Sequence, residues 1–88
     1  MSTKPPPQVA PFPAESLEKI AYTSVSTIPT VEPNDGNRLG YHVWRWLSQR
    51  QGTLEQAIKE SGSRLNVSVQ EAHKVITESL QKQGVKLS

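Results

Sequence analysis

Two helix-start signals in series, Thr53-x-x-Gln56 and Ser68-x-x-Glu71, constrain this chain more than any other feature. In a capping box the hydroxyl of the first residue accepts a free backbone N–H at the head of a helix, and the fourth side chain reaches back to the cap. After Thr53, the residues Leu54, Ala57, Ile58, Ser61 and Leu65 fall at helical spacing, with Glu55, Gln56, Lys59 and Glu60 on the other side. Gly62 is placed to end that helix early. After Ser68, the positions Val69, Ala72, Val75, Ile76 and Leu80 mark a second apolar face, and Gly84-Val85 reads as a glycine stop with an apolar residue just beyond it. The stretch from Thr53 to Leu87 is therefore expected to be helix, turn, helix, joined through the short link Asn66-Val67-Ser68.

Upstream, Arg38 to Gln51 reads as a further helix stopped by Gly52. At about 100° per residue, Leu39, Val43, Trp46 and Leu47 gather on one face, while Tyr41, Arg45, Ser48 and Gln49 point away. Trp46 is expected in the core. Trp44 lies on the flank, the position of a lid over the core or of a stacking contact, and with Tyr41 it is the candidate for touching a partner. The preceding TVEPNDGN, residues 30–37, has the composition of a loop that delivers the chain to a helix cap at Asp35 or Asn37.

Two shorter segments come before that loop. Ala14 to Ala21 holds good helix formers, enough for two turns with Leu17, Ile20 and Ala21 on one side. Tyr22 to Ile28, rich in Thr, Ser, Val and Tyr, suits a short strand or extended arm and is ended by Pro29. Five of the seven prolines stand in residues 1–13, which suits a disordered, extended tail. No two of those prolines are three apart, so the P-x-x-P ligand pattern is missing.

The expected organisation is a proline-rich tail (1–13), a partly ordered arm and loop (14–37) and a three-helix domain (38–88). The class is mainly all-α, with one short strand or helix ahead of the three. With 88 residues, of which 34% are hydrophobic, the chain has room for one small domain. It has no cysteine, so neither a disulfide nor a thiolate metal site can form, and the two histidines, His42 and His73, do not make a zinc site alone. No apolar run is long enough to span a bilayer, and no cofactor motif is visible. The expected setting is reducing and cytoplasmic.

Charge is segregated along the chain. In residues 1–37, Lys4 and Lys19 stand against Glu15, Glu18, Glu32 and Asp35, a net of −2. In residues 38–88, eight lysines and arginines stand against Glu55, Glu60, Glu71 and Glu78, a net of +4. The part expected to fold is the basic part, as suits a domain that meets an anion.

The phrase TLEQAI, the link NVS, the helix VQEAHKVITESL and the ending LQKQGVKL give Arg38 to Leu87 a fold that resembles the tri-helical core of helix-turn-helix and winged-helix DNA-binding domains. That resemblance implies a non-enzymatic regulatory protein whose third helix lies in the major groove of double-stranded DNA. Gln70, His73, Lys74 and Thr77 would then face base edges, and Arg38, Arg45, Arg50, Arg64 and Lys82 would contact phosphates. The same helices also resemble the helical part of PqqD-like peptide-recognition domains, which implies a protein- or peptide-binding adaptor that receives a peptide on a strand edge, here Tyr22 to Ile28. The segment Ala14 to Ile28 is the candidate for pairing two chains into a homodimer. No nucleophile–base pair, phosphate loop or carboxylate dyad is present, so an enzyme is the class least expected.

Overall fold

Leu17, Ile20, Ala21, Ser24, Val25 and Ile28 recur at three- and four-residue spacing and are all buried, the pattern of one helical face. The computed structural model describes residues 14–87. In it helix α1 spans Ala14–Ser26, running through most of the stretch expected to be a strand. Short hydroxyls make this possible: Ser24 donates to the Ala21 carbonyl at 2.7 Å, Ser26 to Thr23 at 2.7 Å and Thr27 to Ser24 at 2.6 Å. Their polar groups are thus satisfied on the helix itself. Burial of Val25 and Ile28 in helical phase outweighs the strand preference of Val, Thr and Tyr, which is a weak and context-dependent tendency. The proline-rich stretch of residues 1–13 lies outside the described residues.

Helix α2 spans Pro33–Gln49 and begins earlier than the expected start at Arg38. Pro33 occupies the first turn, where a missing N–H costs nothing and a fixed φ favours the helix. The cap is Glu32, with no side-chain bond of its own, so neither Asp35 nor Asn37 caps. Asp35 is instead held inside the first turn. Its Oδ1 accepts the Arg64 N–H at 3.1 Å and its carbonyl accepts the Ser63 hydroxyl at 3.1 Å. At the other end Arg50, at φ 54°, closes the helix with its N–H on the Trp46 carbonyl, taking the left-handed role expected of Gly52.

Helix α3, Leu54–Glu60, carries the full capping box: Thr53 Oγ1 accepts the Gln56 N–H, and Gln56 Oε1 accepts the Thr53 N–H, both at 3.1 Å. It ends at Ser61 and a left-handed Gly62. Helix α4, Val69–Lys82, is capped by Ser68, whose hydroxyl accepts the Glu71 N–H at 3.1 Å. Its far end folds back as the Gly84-Val85 pattern suggests, with the Val85 N–H on the Leu80 carbonyl at 3.0 Å and Val85 buried. The connection between α3 and α4 occupies residues 61–68, longer than the three-residue link expected from Asn66 to Ser68. Leu65, expected on the helix, lies in that connection and packs partly on the core.

The described residues form an all-helical fold of four helices, not three. α1 packs against α2 and α4, and α3 against α2 and α4, whereas α1 does not meet α3 and α2 does not meet α4. The helices therefore form a closed ring around one core of Leu17, Ile20, Ala21, Val25 and Ile28, Leu39, Val43 and Leu47, Leu54 and Ile58, and Ala72, Ile76 and Leu80, closed by Val85. The apolar face of α1, the segment expected to pair two chains, is spent inside this core. Trp46, expected in the core, packs on it while only partly buried. Two long-range side-chain bonds clip the ring: Asn66 Nδ2 donates to Thr30 Oγ1 at 2.7 Å, joining two connections, and Gln83 Nε2 donates to the Ile20 carbonyl in the middle of α1 at 3.2 Å.

Candidate nucleic-acid interface

Eleven side chains are candidates from sequence for contact with DNA or a partner, and the fold divides them. On α4, Gln70, His73, Lys74 and Thr77 stand at i, i+3, i+4 and i+7 and share one side of the helix. Gln70 and Lys74 are exposed, while His73 and Thr77 are half-buried. The Thr77 hydroxyl is enclosed with no hydrogen-bond partner. Lys74 lies one turn from both Glu71 and Glu78, so α4 balances Lys74 and Lys82 against two carboxylates and has no net charge.

Helix α2 is different. It carries Arg38 and Arg45 on its exposed side, and its only carboxylate, Asp35, points into the connection before α4, bonded to the Arg64 N–H. Tyr41 lies between the two arginines and is 46% exposed, the one large apolar side chain so exposed among the described residues. Its ring meets His42 edge-on at 5.6 Å and Trp44 at a tilt at 5.8 Å. Trp44 itself is half-buried and packed on the core, the lid position, with its Nε1–H enclosed and unpartnered. His42 was not among the sequence candidates. The signal that points to it is its place beside Tyr41 on the same helix.

The remaining basic residues are dispersed. Arg50 Nη2 donates to the Lys86 carbonyl at 2.7 Å and its guanidinium lies 5.2 Å from the centre of the Trp46 ring, so its charge is tied to the closing of the fold. Trp46 in turn donates its Nε1–H to the Gly52 carbonyl at 3.1 Å. Arg64 sits in the connection before α4, and Lys82 in the last turn of α4, near Thr27 just past the end of α1. Since α2 and α4 are not neighbours in the ring, the expected set does not form one continuous surface.

Between α2 and α3 a cleft of about 220 Å³ is lined by His42, Arg45, Trp46, Gln49, Gln56 and Glu60 among others. Arg45 and Glu60 share it without an ion pair; among the described residues the one ion pair is Lys59 with Glu55, at 3.5 Å and solvent-exposed. The region Tyr22 to Ile28 is helix and turn, so the described residues offer no strand edge to which a peptide could add. Among the described residues, no helix is long and apolar enough to cross a membrane. No protein family, curated protein or solved structure matches the chain.

Proposed function

We propose that this chain is a small, non-enzymatic DNA-binding domain that meets DNA with the exposed side of α2. The observation that carries this reading is the solvent face of α2, where Arg38 and Arg45 stand on either side of Tyr41 with no carboxylate among them. Phosphate neutralisation by such residues supplies most of the sequence-independent affinity of DNA-binding domains and makes it fall with salt. The eight-residue connection before α4 is longer than the three- to four-residue turn of a compact helix-turn-helix, so the reading rests on charge and exposure more than on motif geometry.

The test is an NMR titration of the labelled chain with mixed-sequence duplex DNA at two salt concentrations. Shifts that weaken with salt and centre on Arg38, Tyr41 and Arg45 support the reading. No shift at low salt with this duplex or with single-stranded DNA rejects it.

A further inference from the structure

The exposed side of α2 has the parts of a stacking platform as well as of a phosphate clamp. Arg38 precedes Tyr41 by three residues and Arg45 follows it by four, so the two guanidinium groups arise from one side of the helix, roughly 4.5 Å and 6 Å along the axis from the ring. An isolated exposed tyrosine needs no explanation. This one is braced, edge-on to His42 at 5.6 Å and tilted against Trp44 at 5.8 Å, and Trp44 is itself packed on the core. A ring whose orientation is already set loses little freedom when a second ring covers it. Two flanking cations without a carboxylate on that side select an anionic strand, and the aromatic face selects a planar group within it. Glu60 of α3 shares the neighbouring cleft with Arg45 but forms no ion pair with it.

We infer that α2 holds a single DNA strand, with an unpaired base stacked on Tyr41 and the adjoining phosphates on Arg38 and Arg45. In a duplex the base faces are already stacked on one another and are closed to a side chain, so the platform distinguishes single from paired strands. The inference rests on the DNA-binding reading above and names the form of DNA it takes.

The experiment is a titration of the full chain with a short oligothymidine and with a duplex of similar length, following the tyrosine ring resonances by NMR. Tyr22, packed between α1 and α2, serves as internal reference. Stacking is expected to move the Tyr41 ring signals upfield with little change at Tyr22, and the single strand is expected to bind more tightly than the duplex. Tyr41→Phe should keep the affinity. Tyr41→Leu, which retains bulk without an aromatic face, should weaken single-strand binding roughly 5- to 150-fold, the size of one base–aromatic stack. If the duplex binds while Tyr41→Leu leaves single-strand affinity unchanged, or while the single strand does not bind, stacking is overturned and the DNA-binding reading stands. If neither nucleic acid binds at low salt, both fall.

Discussion

The Tyr22 ring lies directly against the Cα of Gly40, so that a Cβ at position 40 would overlap ring atoms Cδ1 and Cε1 and stand 3.0 Å from Cγ. Gly40 is buried, and this contact sets how closely α1 and α2 approach. Alanine is the better helix former by about 1 kcal/mol, but overpacking typically costs about 1–3 kcal/mol. Gly40→Ala is therefore expected to lower stability, and a thermal melt should show it as a fall of several degrees. A variant that melts higher than the parent would show that Tyr22 swings away freely.

The two helix caps differ in completeness. Thr53→Ala and Ser68→Ala each remove one hydroxyl acceptor, and each should cost about 1 kcal/mol. The bond from the Thr53 backbone N–H to Gln56 Oε1 survives Thr53→Ala and is removed by Gln56→Ala. Urea unfolding of the three variants checks this, and an unchanged stability for Gln56→Ala would mean that the return bond adds nothing.

Because Leu17 is only 5% exposed, α1 is as much a part of the core as α2. Leu17→Ala should destabilise by about 2–5 kcal/mol, in the same range as Leu47→Ala on α2. A loss below about 0.5 kcal/mol, the size of an ordinary surface change, would show that α1 is only loosely attached.

Arg50 and Arg45 are predicted to separate stability from binding. Arg50 is bonded to the Lys86 carbonyl and stacked near Trp46, while Arg45 is exposed on the face assigned to DNA. Arg50→Ala should lower the melt by about 1 kcal/mol of stability and leave DNA affinity unchanged. Arg45→Ala should leave the melt unchanged and reduce the salt slope of binding by about 1. The opposite pattern in calorimetry and salt-dependent binding would exchange their roles.

Much of the second half of the chain is legible in its residues, since caps and stops act locally. Thr53 with Gln56, Ser68 with Glu71 and Gly84 with Val85 each satisfy backbone groups within one turn of their own position. The candidate site is less legible. Helical spacing alone brings Arg38, Tyr41 and Arg45 to one side of α2, but nothing in that spacing ties Arg50 to Lys86, thirty-six residues away.

By itself, the sequence determined a mainly helical fold, the starts of α3 and α4, and the basic character of the half that contains them. Only the tertiary structure decided that Tyr22 to Ser26 is helix, that α2 begins at Pro33, and that α1 completes a ring of four. The reason is physical. Strand preference at Tyr22 to Ile28 and loop preference at Asn34 to Asn37 amount to a few tenths of a kcal/mol per residue, less than the burial of Val25 and Ile28 or the bonds that Asp35 makes across to Ser63 and Arg64 contribute. Those gains exist only once distant segments have met.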